Sequence, residues 1–351
     1  MKTKNLSRVT KPASKAAGSG PVTIGMVAKA AGVSASTVSR ILNGTAVVSD
    51  IKKLAIDNAI ATLNFVPNPI ARGLAGGRTF SIGVVTQALD SPFYGTAMRA
   101  IEDALLPAGY NALFVSGHWD AKAEANCIGV LQSRRVDGII VLTGRLTDQA
   151  LKGYAKNQPL VITGRSLKAP GLFTLNFDNF EGGRIATEHL LALGHKRIAF
   201  IAGDAGHPDA NERLRGYRAA LDAAGIAFDP ALVVPGAYHE LSGLQAVERL
   251  LDSGKRFTAI FAANDQMAAG AALGLQKRGL RVPDDVSVVG FDDLPTSQYA
   301  SPPLTSVQQS AYELGRLAAS AMLQLLSKTK PTVEVPAPRL IARESSRTLR
   351  A

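Results

Sequence analysis

From Phe80 onward, short apolar runs alternate with amphipathic stretches, and no other feature limits the fold of this chain so tightly. SIGVVT, NALFVSG, DGIIVLTG, PLVITG, RIAFIAG, TAIFAAND and SVVGFDD are dense in Val, Ile, Leu and Phe, as strands buried on both faces must be. Helical segments such as YGTAMRAIEDALLPAG and QMAAGAALGLQKRG lie between them. The alternation predicts an α/β fold of doubly wound parallel sheets. Seven strands spread this widely predict two sheets, hence two lobes around a cleft, in a body spanning residues 79–346. Ligands of such sheets bind beyond the carboxyl ends of the strands, where Asp90 with Phe93, Arg165, Asn264-Asp265 and Asp292-Asp293 gather.

The first part of the chain has a different period. Ile24, Val27, Ala28 and Ala31 recur at helical spacing until Gly32 permits a turn, and two further short helices fit before residue 64. Thr23, Ser34 and Ser49 are placed to cap the three helices, with Val38, Ile41 and Leu42 facing inward against Leu54, Ile56, Ile60 and Leu63. Residues 22–67 are therefore expected to form a helix-turn-helix unit. Pro67 and Pro69 interrupt the third helix, so residues 68–78 read as a linker whose helical turns need an outside partner to become ordered. Residues 1–21, rich in Lys, Ser, Ala and Gly, read as a disordered basic tail, and 347–351 as a short C-terminal one.

Charge separates the two parts. Residues 1–80 hold eleven Lys or Arg against Asp50 and Asp57, a net of +9 out of +11 for the whole chain. A basic segment on a nearly neutral body points to a polyanion bound at the front and a second task behind it. Cys127 is the only cysteine, which excludes an internal disulfide and a cysteine-rich metal site and fits a reducing cytoplasm. No run is long and apolar enough for a membrane span, and no hydrophobic stretch follows the first Lys and Arg to make an export signal. The sequence carries no GxGxxG after the first strand, no GxxxxGK[ST], no GxSxG and no HExxH. Its five histidines are scattered and read as surface or capping residues. Catalysis has no support, and no cofactor is expected.

VTIGMVAKAAGVSASTVSRILNG, NFVPNPIARGLAGG, LLALGHKRIAFIAG, ERLRGYRAAL, TAIFAANDQMAAGA, VPDDVSVVGFDD and PPLTSV occur in this order. In them, residues 22–346 resemble the transcription regulators of the lactose-repressor and galactose-repressor family. ERLRGY and SPFYG resemble the galactose-repressor-like branch. The resemblance implies a helix-turn-helix domain joined to a two-lobed body like that of periplasmic binding proteins. Met26 departs from the usual Asp of the first helix, and Lys52-Lys53 from the usual Thr-Arg of the third. Lys53 keeps a positive charge without the bidentate fork of arginine.

The second helix of such a unit enters the major groove. Ala35 and Ser36 at its start are short; a methyl can meet a thymine methyl and a hydroxyl can pair with several bases, although both residues also simply begin a helix. Arg40, a turn further on, is placed for a bidentate contact with guanine. Thr23, Ser34, Thr37 and Asn43 suit phosphates. The resemblance further implies that the linker containing Asn68 forms a hinge helix on operator DNA beside that of a dimer mate, with Leu74 wedged into the minor groove. The alternative for Leu74 is packing on the body.

In the cleft the resemblance places Arg213, Asn264 and Asp292 around the effector, with Tyr238 as aromatic platform and Phe93 opposite. Guanidinium and carboxylate suit paired hydroxyls. Arg165, Asp178 and Gln309 are further candidates. Arg213 could instead belong to a solvated face, Asp293 could cap its loop, and Trp119 is either a platform or a loop aromatic. The expectation is a cytoplasmic, homodimeric repressor that binds a pseudo-palindromic operator and is released by a sugar or glycoside. A regulator with a purine-like co-repressor is the alternative within the class. A solute-binding protein and an enzyme are the alternatives outside it. The absence of a terminal heptad speaks against a tetramer.

Overall fold

The computed structural model describes residues 22–42, 49–65 and 77–350, and the chain divides into two units between Thr79 and Phe80. Among the described residues the first unit has three helices, α1 (Ile24–Ala30), α2 (Ala35–Leu42) and α3 (Asp50–Leu63). Val27, Ala28, Val38, Ile56, Ala59 and Phe65 form its core. Leu54, expected there, is 62% exposed. The stripe of α3 runs through Ile56, Ala59, Ile60 and Leu63, and a residue two places before Ile56 points to the opposite side. Of the three expected caps, Ser34 acts through its side chain, its Oγ accepting the Thr37 amide at 3.2 Å. Thr23 and Ser49 occupy N-cap positions without a side-chain bond.

The body begins with β1 (Ser81–Thr86), α4 (Pro92–Leu105), β2 (Asn111–Ser116), α5 (Ala121–Ser133), β3 (Gly138–Val141), α6 (Asp148–Ala155), β4 (Leu160–Thr163) and β5 (Leu172–Leu175). These strands form a parallel sheet of order β2-β1-β3-β4-β5. The second lobe contains α7 (Asn179–Ala192), β6 (Ile198–Ala202), α8 (Pro208–Ala223), β7 (Val233–Pro235), α9 (Glu240–Asp252), β8 (Ala259–Ala262), α10 (Asp265–Lys277), β9 (Ser287–Asp292) and β10 (Thr305–Gln308). The chain then returns to the first lobe as α11 (Ala311–Leu326), which packs on α4, and crosses again to β11 (Arg339–Ile341). The second sheet runs β11-β10-β9-β8-β6-β7, antiparallel only at β11.

Both sheets are doubly wound, and each has the strand order that opens a crevice where adjacent connections leave in opposite directions. The seven anticipated strands are present; β5, β7, β10 and β11 were not anticipated. Three segments join the lobes, between β5 and α7, between β10 and α11, and between α11 and β11. Residues 347–349, read from sequence as a tail, are bonded to the body: the Arg347 amide donates to Ser287 at 3.1 Å and the Leu349 amide to Leu193 at 2.8 Å. No helix among the described residues is long and apolar enough to cross a membrane.

Candidate functional site

Residues that follow the carboxyl ends of both sheets line one cavity of about 550 Å³. Arg213 reaches it because α7 and α8 touch backbone to backbone. A Cβ on Gly183 would stand 2.3 Å from the Arg213 carbonyl oxygen, and one on Gly216 2.1 Å from that of Phe180. Arg213 is 4% exposed, not on a solvated face. Its Nε donates to Asn179 at 2.8 Å, its Nη1 to the Ala263 carbonyl and its Nη2 to Gln309 at 3.2 Å. The guanidinium carbon lies 3.7 Å from the centre of the Phe291 ring, a cation–π contact.

Asp292, the last residue of β9, approaches Arg213 Nη2 at 3.8 Å, beyond hydrogen-bond length, and opens on the cavity. Burial pushes its carboxyl well above the usual range; Arg213 opposes the shift, and the neighbouring Asp265 and Asp209 add to it. Burial likewise raises Asp209. Asn264 caps α10 by accepting the Met267 amide at 2.9 Å, and its Nδ2 donates to the Tyr238 carbonyl at 3.0 Å. Tyr238 lies so close over Gly203 that a Cβ there would come within 2.2 Å of its ring.

Aromatic rings form a continuous chain from one lobe to the other. Phe93 meets Tyr94 at 5.5 Å, Tyr94 meets Trp119 at 6.0 Å, Trp119 meets His207 at 3.8 Å and His207 meets Tyr238 at 5.7 Å between centroids. Trp119 is thus part of the cavity wall. Gln87 holds it there, accepting the Trp119 amide at 2.9 Å while donating to the Thr143 carbonyl at 2.8 Å. Beside the rings, Arg145 of the first lobe pairs with Asp204 of the second at 2.5 Å. Trp119, Thr143, Tyr238 and Asp292 all have positive φ, at 58°, 52°, 62° and 105°. Backbone strain at four non-glycine residues of one cavity is a mark of a working site.

The structure brings Asp90, Phe93, Arg213, Tyr238, Asn264, Asp292 and Gln309 to this cavity. Arg165 lines an adjoining cavity of about 820 Å³ and is occupied with the Gly144 and Leu146 carbonyls and Asp148. Asp178 caps α7, accepting the Glu181 amide at 2.9 Å, and lies outside both linings. Asp293 pairs with Arg343 at 2.7 Å. The reading of the histidines as surface or capping residues holds for His239, which accepts the Ser242 amide at Nδ1, but not for His207, 4% exposed in the cavity wall. Burial lowers the His207 pKa to about 4, so its imidazole is neutral at pH 7. Tyr94, Asp209 and His207 were missed. SPFYG and GDAGHPDANER contain them, but single residues in connecting loops have no periodicity to mark them.

In the first unit, Ser34 before α2 and Ala35, Ser36 and Arg40 on it are exposed, as are Thr23 before α1 and Lys53 on α3, while Thr37 is half-buried. The Ser34 hydroxyl bonds those of Ser36 at 2.9 Å and Thr37 at 2.8 Å, and Arg40 Nε donates to the Ser36 carbonyl at 3.3 Å. Asn43, Asn68 and Leu74 lie outside the described residues.

Residues 23–68 match the family of bacterial regulatory proteins of the lacI type, and residues 79–344 match the periplasmic binding proteins and sugar binding domain of the LacI family. The chain belongs to the LacI family. It is a DNA-binding transcriptional regulator with a ligand-binding body. Among LacI-family relatives, the HTH-type transcriptional repressor PurR of Haemophilus influenzae is 33% identical over 334 residues, covering 93% of this chain and 99% of that protein. The lac repressor dimer bound to operator and the anti-inducer ONPF is similar with a TM-score of 0.84 and 33% identity, over 93% of this chain and 100% of that one. The complex of the regulator CelR with cellobiose is similar with a TM-score of 0.69 and 36% identity, over 92% and 99%.

Proposed function

We propose that this LacI-family protein is a cytoplasmic, dimeric repressor released from a pseudo-palindromic operator by a sugar or glycoside bound between its lobes. The observation that carries the effector reading is the buried Arg213–Asp292 pair, one on α8 and the other at the end of β9, with Asn264 and Gln309 beside it and aromatic rings around it. Guanidinium, carboxylate and amide groups suit adjacent hydroxyls, and rings suit the C–H face of a sugar. Solved relatives with cellobiose and with ONPF support the same class.

On the DNA side, Ala35, Ser36 and Arg40 read bases, Thr23, Ser34, Thr37, Asn43 and Lys53 hold phosphates, and the segment with Asn68 and Leu74 engages the minor groove between two protomers. Phe177 and Gln309 line the cavity from two of the segments that join the lobes. An effector touching them acts directly where the lobes pivot, and lobe closure alters the spacing of the two DNA-binding units in a dimer.

The aromatic wall favours a second reading, a planar purine-like co-repressor stacked on Tyr238 or Trp119. The test is operator binding at several salt concentrations, with and without members of a panel of sugars, glycosides and purines chosen by thermal shift. Release by a sugar supports the first reading; tightening by a purine replaces it with the second. Operator binding insensitive to every compound that stabilises the body overturns both.

A further inference from the structure

Carboxylates from both lobes line the cavity: Asp90 beyond β1, Asp209 in the first turn of α8, Glu240 at the start of α9 and Asp292 at the end of β9. Among the described residues Arg213 is the one permanent cation in the lining of this cavity, and each of its three nitrogens already donates within the protein, while Arg165 acts on Asp209 from the adjoining cavity. His207 is buried and neutral at pH 7. His239 uses its Nδ1 to accept the Ser242 amide. In the adjoining cavity Arg145 is paired with Asp204, Arg165 with Asp148 and two carbonyls, and Glu212 with Arg215, while Asp120 adds a further carboxylate.

Given that the cavity is the effector site, we infer that it selects an uncharged polyhydroxylated effector and rejects anionic ones such as sugar phosphates, uronates and aldonates. The asymmetry follows from what each partner offers the acids. A hydroxyl donates to a carboxylate, and the rings Phe93, Tyr94, Trp119 and Tyr238 cover the apolar side of a neutral sugar. A phosphate or a second carboxylate has only acceptors to present and meets like charge in a poorly solvated space. The desolvation that raises Asp209 and Asp292 disfavours any negative charge in this space and falls equally on an anionic ligand, whether or not those two carboxyls are ionised. An anionic analogue is therefore expected to bind roughly a hundredfold or more weaker than its neutral counterpart.

Trp119 is the only tryptophan of the chain, so its fluorescence reports the cavity without labelling. In the full-length protein at constant ionic strength, quenching by caesium, iodide and acrylamide is compared with quenching of free N-acetyltryptophanamide. The net charge of +11 favours iodide if the bulk field governs. The cavity acids favour caesium, and Asp209→Asn should shift the ratio toward iodide. Iodide quenching Trp119 as efficiently as caesium, relative to the free fluorophore, overturns the inference. The same signal is then titrated with matched pairs, cellobiose against cellobionate and glucose against glucose 6-phosphate, and with hypoxanthine. A neutral sugar bound a hundredfold tighter than its acid or phosphate supports the inference; equal or tighter binding of the anion overturns it. Hypoxanthine binding without any sugar binding sinks both the sugar effector and the preference for a polyhydroxylated ligand, and leaves charge selection to be decided by the quenching ratio. If none of these compounds binds, the quenching ratio decides.

Discussion

Asp292 combines burial, an opposing arginine just out of hydrogen-bond range and a φ of 105°, a cost that packing alone does not require. Asp292→Ala removes a desolvated carboxyl and leaves the DNA-binding unit untouched. The variant should bind operator as the parent does, melt no lower, and fail to respond to the effector, because a ligand shifts an equilibrium only by its differential affinity for the two states. Release at the parent's effector concentration would remove Asp292 from the site. His207 gives a second prediction, in pH. Its folded pKa is about 4, so an unfolded chain with an ordinary imidazole takes up the proton first, and stability is lost as pH falls from about 6.5 toward 4. Asp265, raised by burial to about 6, acts in the opposite sense, since its contribution is lost as pH rises through that value. The comparison must therefore be parent against His207→Gln. Between pH 7 and 5 the variant should lose less stability than the parent, by up to about 2 kcal/mol in denaturant titrations; parallel curves would show that His207 is solvated. The family motifs made Arg213, Asn264 and Asp292 legible, whereas the ring chain through Tyr94, Trp119 and His207 arises from the meeting of two lobes and has no linear trace.

At the scale of elements, α2 and the α7–α8 pair depend on small residues for opposite reasons. On α2, Ala35 and Ser36 keep the helix surface low, and Arg40 is the one long basic side chain of the helix. Arg40→Ala should cost about 1–3 kcal/mol on the best operator and less on random DNA, read by competition binding. Equal losses on both would make Arg40 a phosphate contact. Between α7 and α8, Gly216 lets backbones meet: a Cβ would lie 2.1 Å from the Phe180 oxygen and 2.7 Å from the Arg184 nitrogen, atoms that cannot rotate away. Gly216→Ala should destabilise the body by about 1–3 kcal/mol and weaken effector binding through Arg213, seen in calorimetry and fluorescence titration. An unchanged melting temperature would contradict this packing. The seven strands were legible because of their apolar runs, which mark strands buried on both faces and, in β2, a half-buried strand at the sheet edge. β10 was not, because two of its three buried residues are Thr305 and Ser306, satisfied by Ser346 and Asp265, which leaves Val307 as its one apolar position. β7 and β11 have three residues each, too few to set a pattern.

For the whole molecule, the charge asymmetry and the division after Thr79 assign the two tasks to separate units. A fragment beginning at Phe80 should keep the melting transition and the Trp119 quenching pattern of the full chain while losing salt-dependent operator binding. Operator affinity retained by that fragment would overturn the assignment. The body itself does not divide so simply. The first sheet has its strands complete at Leu175, yet Leu314, Leu317, Ala318, Ala321 and Met322, which cover it together with Ile101 and Leu105, arrive only with α11. A chain emerging from the ribosome therefore carries an open apolar face while more than a third of its length is still to be made, on the order of ten seconds at ordinary synthesis rates. Any product truncated between β5 and α11 keeps that face bare. Such fragments should be found with chaperones or in aggregates rather than as a free half-body, and the order of translation thus becomes a hazard written into the crossing of the lobes.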